Sequence, residues 1–322
     1  MESPIAPGIV PPRPIVVIGD ANPDLVLHGD VRPRFGQVEQ LADSADLVLG
    51  GSAAITACGT ARLGVPTSLI AAIGDDTFGR FVTDQLAAGG VDIACLVTRT
   101  NTATGLSVIL STPDDRAILT CLGTIPTLGP ADVRGPFVAP AHLHASSFFL
   151  LSTFAAALAT VFSDARANGV TTSLDTNWDP AEQWTGVHDV LAHCDLFFPN
   201  DRELLAIVGG HDVAESGARL AQETMTTVVA KCGADGGRLW SPDGLHLHHR
   251  PRPTTVVDTT GAGDSFNAGY LAGYVRGLGP DRCLALAVAA GRLSTRGSGG
   301  TAFQASWDEL ERELEPQFGE IE

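Results

Sequence analysis

Apolar positions along the chain recur at two spacings, and the two take turns. Residues 15–18 (Ile-Val-Val-Ile) form a short β-branched run that ends at Gly19-Asp20, the mark of a buried strand. Residues 52–63 are small, with apolar positions at helical spacing. They open after Gly50-Gly51 and stop at Gly64, which predicts a helix. Residues 68–73 give the next strand, and a helix follows through Leu86. Further strands are expected at 142–145, 172–175, 196–199 and 227–231. Helices are expected at 153–167, 201–208, 264–276 and 284–294. Repeated βα units of this kind imply an α/β sandwich of three layers, with a mainly parallel central sheet.

Two segments break the rhythm. Residues 25–48 and 96–122 show strand-like alternation with no helix between the strands, and the second holds a hairpin with Pro113-Asp114-Asp115 as its turn. They read as a small extra β-sheet, a lid over the core that excludes water on closing. The expected organisation is a proline-rich tail over 1–14, a core from 15–24, 49–95 and 123–322, and the lid from 25–48 and 96–122.

Composition narrows the partners. Charged residues make up 18% of the chain and hydrophobic ones 44%, so the chain can build a core, and its formal net charge is −17. A field of that sign repels nucleic acid and anionic membrane surfaces. A small anionic ligand is still compatible, because a nest of backbone N–H groups acts locally. The start lacks a cationic segment followed by an apolar one, and no apolar stretch is long enough to span a bilayer. The six cysteines form no CxxC pair, which fits reduced thiols in the cytoplasm. His28, His142, His144, His246, His248 and His249 have no metal-ligand spacing, and 246–249 reads as surface strand or turn.

The main chemical signal is residues 254–269, TTVVDTTGAGDSFNAG. A β-branched run leads into a glycine turn, and the turn opens a helix. Gly261, Ala262 and Gly263 let backbone N–H groups face an anion, and the helix N-terminus adds partial positive charge. Asp264 in the first turn is then suited to accept the proton of an attacking hydroxyl while those N–H groups hold a phosphoryl group. An ordinary tight turn with a dipole-complementing acid is the plainer reading, but a strand over 254–257, threonines, glycines and acid in one uninterrupted series point to function. The segment is neither a P-loop nor a dinucleotide fingerprint, since no Gly-Lys-Ser/Thr follows and the first strand ends in GDANPD.

DTTGAGDSFNAGY resembles the C-terminal signature of the ribokinase-type (PfkB) carbohydrate kinases. GGSAAITACGTARLG and IGDDTFG resemble their N-terminal signature, and the likeness runs from about Ile15 to about Gly300. It implies a ribokinase-like fold with a β-sheet lid, ATP and Mg²⁺ as cofactors, in some members a monovalent cation such as K⁺, and a homodimer formed through the lids. By the same likeness Asp264 is the catalytic base and 261–263 the anion hole.

Other candidates carry weaker signals. Asn200 and Glu203 match the family's NxxE motif, which would hold Mg²⁺ through water; the same residues also suit a helix capping box. Lys231, Gly233, Thr259 and Ser294 are candidates for nucleotide binding, with a solvated lysine as the plain alternative for Lys231. Asp175 and Asn177 end a strand where open α/β sheets bind ligands. On the acceptor side stand Asp20, Asn22, Asp24, Gly50 and Gly51, because carboxylates and amides bind vicinal hydroxyls and glycine lets a polyol approach the backbone. Asn-Pro-Asp also suits a plain turn. Two positions depart from the family pattern: Ile55 stands where relatives carry a sugar-binding Asn, and Asp179 where many carry Arg. Arg99 and Arg116 lie in the lid segment, within reach of an acidic substrate. The reading is an ATP-dependent kinase acting on a hydroxyl of a small sugar or sugar acid. The alternatives are a nucleoside kinase of the same family, a catalytically silent sensor, and a dinucleotide-dependent oxidoreductase, which the missing fingerprint disfavours.

Overall fold

The first β-branched run becomes a central strand of the main sheet. The computed structural model describes residues 12–112, 116–133 and 142–318. The expected turn at Pro113-Asp114-Asp115 and most of the 1–14 tail lie outside them. In chain order the elements are β1 (Ile15–Ile18), β2 (Asn22–His28), β3 (Ser44–Gly50), α1 (Ser52–Arg62), β4 (Thr67–Ile70), β5 (Ala72–Gly74), α2 (Thr77–Ala88), β6 (Val97–Arg99), β7 (Leu106–Ser111) and β8 (Arg116–Cys121). They continue as β9 (His142–Ser146), α3 (Ser152–Ala167), β10 (Thr171–Asp175), α4 (Val187–Leu191), β11 (Leu196–Phe197), α5 (Asp201–Val208), α6 (Val213–Thr224) and β12 (Thr227–Lys231). The last are β13 (Gly237–Trp240), β14 (His246–His249), α7 (Ala262–Tyr274), α8 (Pro280–Ser294) and α9 (Trp307–Phe318).

The main sheet has eight strands in the order β14-β13-β12-β11-β10-β9-β1-β4. The run from β12 to β4 is parallel, and β13 and β14 add an antiparallel edge. Alternation within β1 shows how the layers form. Ile15 and Val17 pack into a core with α1, α2, α7, α8 and α9, while Ile18 faces a second core built with α3, α4, α5 and α6. The mainly parallel sheet between two helical layers is the expected fold class.

The small sheet is also present, four strands in the order β3-β2-β7-β8. Its strands run further than the 25–48 segment. β2 begins at Asn22 and β3 ends at Gly50, and these two residues face each other across the ladder. Acceptor-side candidates assigned to the core thus sit at the root of the small sheet. β6, expected in the lid, instead pairs with β5 beside the core. The strand expected over 68–73 is two, since β4 joins the main sheet and β5 leaves it to pair with β6. Residues 254–257 form no strand. Thr255, Val256 and Val257 are exposed, so their β-branched side chains have no sheet to pack against. Among the described residues no helix is long and apolar enough to cross a membrane.

Candidate active site

The strand order reverses beside β1, which has β4 on one side and β9 on the other. In open α/β sheets the crevice at the C-terminal strand ends opens at such a reversal. Asp20 follows β1 and Ser147 follows β9, and the Ser147 side chain lies close enough to Asp20 to lower its pKa. Asp20 also accepts the Ala53 N–H at 3.0 Å, and burial raises its pKa. Ser147 and Asn177, just beyond β9 and β10, both have left-handed backbone, with φ of 60° and 54°. Asn177 Nδ2 donates to Ser147 Oγ at 3.0 Å and to Ser52 Oγ at 2.8 Å. Ser52, the first residue of α1, in turn lies close enough to Asp264 to lower its pKa. A chain of contacts, Asp20–Ser147–Asn177–Ser52–Asp264, therefore crosses the crevice.

Asp264 lies in the first turn of α7, whose N-cap is Gly261 with φ of 69°. Its carboxyl lies among Asp175, Ser52, Lys231 and Asp20, and the residue is only 9% exposed. Burial pushes its carboxyl up to about 7, Asp175 adds to the rise, and Ser52 and Lys231 oppose it. Gly261 has no room for a side chain, since a Cβ there would stand 2.7 Å from the Gly300 Cα. Next to Gly263 runs the Lys231 stem, with Cδ 3.4 Å from where a Cβ would be. The ammonium pairs with Asp175 at 2.5 Å, and Asn267 Nδ2 donates to the same carboxylate oxygen at 2.6 Å. Burial alone would lower the Lys231 pKa; attraction to Asp175 and Glu203 raises it instead. Lys231 is thus a half-buried, paired cation beside the glycine turn, not a freely solvated side chain.

Asn200 and Glu203 form a full capping box on α5. Asn200 N donates to Glu203 Oε2 at 2.7 Å, and Glu203 N donates to Asn200 Oδ1 at 2.8 Å. Burial pushes Glu203 up to about 7, with Lys231 opposing and Asp175 adding. The residues keep one charged neighbourhood with Lys231, since Asn200 bridges to it in the backbone ladder. Gly233 follows with φ of 53°. Thr259 is exposed, and its carbonyl accepts the Ala262 N–H at 3.2 Å. The Ser294 hydroxyl is buried and donates to Gly291 O at 2.9 Å, so it is spent within α8.

On the other side of Asp264, Asn22 Nδ2 donates to Asp24 Oδ1 at 2.9 Å and to Ser107 Oγ at 3.3 Å. Burial pushes Asp24 up to about 6, with Asp20 adding to the rise. Gly50 is required there, because a Cβ would fall 2.1 Å from Asp24 Oδ1. Gly51, with φ of 88°, passes close over the Asp20 carbonyl. Arg116 from β8 donates to Thr260 Oγ1 at 3.0 Å and so ties the small sheet to the glycine turn. Arg99 is turned elsewhere, paired with Asp132 at 2.5 Å. Asp258 anchors the turn: it accepts from Thr260 N at 2.9 Å and from Gly299 N at 2.9 Å.

Both departures from the family pattern have structural roles. Ile55 is buried and fills the space beneath Gly261 and Gly300, with Cδ1 2.6 Å from where a Gly300 Cβ would be. The Asp179 carboxylate accepts backbone N–H groups from Ala181, Gln183 and Trp184 at 2.8–2.9 Å, so it shapes its own loop. Sequence reading missed Ser52, Ser147 and Asn267. Asn267 could have been found from its place three residues after Asp264, on the same helical face. Ser147 had no local signal. His142 and His144 are buried in β9, bonded to Thr171, Ser173 and Ser146, and burial lowers both pKa values. Among the described residues no group of His, Cys, Asp and Glu could hold a metal ion by itself.

Residues 13–307 match the model of the pfkB family carbohydrate kinases. The chain is 33% identical to a fructokinase of Klebsiella pneumoniae, over 93% of this chain and 99% of that one. It is 30% identical to an ATP-dependent ribose-1-phosphate kinase of Halopiger xanaduensis, over 94% and 99% of the two chains. The Arabidopsis thaliana ribokinase complexed with ribose and ATP superposes with a TM-score of 0.80 at 23% identity, covering 94% of this chain and 99% of that one. The chain belongs to the pfkB family of carbohydrate kinases and is a sugar or nucleoside kinase.

Proposed function

We propose that the protein transfers the γ-phosphoryl group of ATP to a hydroxyl of a small sugar or sugar acid, with Asp264 as general base. The observation that carries this reading is the buried Asp264 carboxyl, raised to about 7, beside the Gly261–Gly263 turn and within the field of Lys231. A carboxylate of that pKa takes a proton from an attacking hydroxyl near neutral pH. The turn's N–H groups and the α7 dipole stabilise charge on the transferring group, and Lys231 neutralises more of it. Asp175 and Asn267 hold the Lys231 ammonium in place. Asp20, Asn22 and Asp24 accept and donate hydrogen bonds to acceptor hydroxyls. Ile55 offers none, so the acceptor is bound with one polar partner fewer on that side.

Mg²⁺ fits this donor set only as a phosphate-held ion. With no metal-binding group among the described residues, Asn200 and Glu203 would hold its waters, and the ion would supply charge neutralisation of the phosphate oxygens. The same reading gives a homodimer joined through the small sheets.

The test is ADP release in a panel of D-fructose, D-ribose, 2-keto-3-deoxygluconate, ribose 1-phosphate and adenosine. At least one compound is expected to turn over, excess chelator to abolish it, and Asp264→Asn to lower kcat by roughly 10²–10⁴ with ATP affinity kept. A panel with no turnover, or near-normal kcat in Asp264→Asn, would refute the proposal.

A further inference from the structure

Aromatic residues make up only 6% of the chain, and two of its four tryptophans gather in one place. Trp178 stands edge-to-face on Trp184, ring centres 5.1 Å apart; Trp184 stands on Phe149 at 5.4 Å, and Phe149 on Phe148 at 5.0 Å. This row grows out of the contact chain across the crevice. Trp178 directly follows Asn177, and Phe148 directly follows Ser147, the two residues that bond each other there. Both leave their strands in left-handed backbone, which fixes the direction of the next side chain. Phe148, Phe149 and Trp184 pack with the second core on the α3 and α4 side of the sheet, and Trp178 extends the row from the end of β10.

Three members of the row are buried or half-buried, as packing requires. Trp178 is 45% exposed, although indole is costly to leave in water. Its loop is also built rather than slack, because the Asp179 carboxylate holds three backbone N–H groups. An exposed, edge-braced indole on a fixed loop, one residue from a side chain that touches the serine partner of Asp264, is a stacking platform.

We propose that Trp178 is a specificity-determining contact for the acceptor, and that it packs against a flat, weakly polar ring face. Two acceptors share that chemistry: the C–H face of a sugar ring and the base of a nucleoside. The inference deepens the kinase reading and rests on it.

The test compares wild type, Trp178→Ala and Trp178→Phe on the panel compounds. Trp178→Ala is expected to raise acceptor KM by roughly tenfold. The KM for MgATP and the melting temperature should hardly change, and Trp178→Phe should recover most of the loss. A rise confined to adenosine assigns the platform to a base; a rise with fructose or ribose assigns it to a sugar face. Acceptor KM within twofold of wild type in Trp178→Ala would overturn the inference, as would an equal rise in KM for MgATP. Tryptophan fluorescence titration with the same compounds, without nucleotide, separates the two readings. A quench that vanishes in Trp178→Phe, together with no turnover, would sink the kinase reading and keep the contact. Turnover that ignores residue 178 would sink the contact alone.

Discussion

Asp175 and Asp264 are both buried carboxylates on one crevice, and their surroundings push them apart. Burial raises both, but Lys231 and Asn267 hold Asp175 below the usual range, whereas Asp264 has no ion pair among the described residues and rises to about 7. Separation of this kind divides roles: one group stays charged and holds a cation, the other exchanges a proton near neutral pH. A cost in stability follows. The folded state keeps a proton on Asp264 that the unfolded chain, at 3.8, has lost, so this group's contribution to stability falls as pH rises from about 4 to about 7. Asp264→Asn removes the charge and leaves the shape. The variant should melt higher than wild type at pH 8, with a gain of roughly 2–4 kcal/mol as an upper range, and the gap should close near pH 4. In wild type, kcat/KM should climb with pH through an apparent pKa near 7 and then level. Equal melting curves at pH 8, or a rate flat from pH 5 to 8, would show that the carboxyl is not perturbed as described.

At the scale of elements, what the sequence made legible was local. Periodicity located β1, α1, α3, α5 and β12 within a residue or two, because each carries its own apolar stripe and its own stop. The glycine turn before α7 was legible for the same reason. The strand expected at 254–257 failed because strand formation needs a neighbour, and that stretch is tied instead by Val257 N to Thr295 O and by Asp258. The contact chain through Ser147 was invisible, since it joins residues brought together only by the order of β1, β9 and β10. The loop after β10 shows both sides of this. Asp179 was flagged as out of pattern, but its role emerged only from the N–H groups it holds. If that carboxylate positions Trp178, Asp179→Ala should raise acceptor KM without changing KM for MgATP, and should cost about 1–3 kcal/mol of stability for the lost bonds. A double-mutant cycle decides how it acts. The effects of Asp179→Ala and Trp178→Ala on acceptor kcat/KM should be clearly less than additive, whereas agreement with additivity within about 0.5 kcal/mol would mean that Asp179 does not work through Trp178.

For the molecule as a whole, the small sheet raises a question that the core does not. β8 is exposed along its whole length, with Ile118 at 55% and Leu119 at 59%. Adjacent residues of a strand point to opposite faces, so both faces of this strand carry exposed apolar groups. Among the described strands β8 pairs only with β7, which leaves one backbone edge open. Chains rarely leave a long apolar edge strand uncovered, since it invites pairing with another strand. A second copy of the small sheet would cover it, which supports the proposed homodimer. The net charge of −17 works against that pairing, so the dimer should tighten as salt screens the repulsion. The paired change Ile118→Lys and Leu119→Lys adds two charges to the strand, one on each face. In light scattering after gel filtration the wild type should have the mass of two chains and the variant that of one. Because Arg116 at the start of β8 reaches Thr260 beside the glycine turn, loss of the dimer should also raise acceptor KM. A wild-type mass of one chain at every concentration and salt level would end the dimer reading, and a dimeric double-lysine variant would move the interface away from β8.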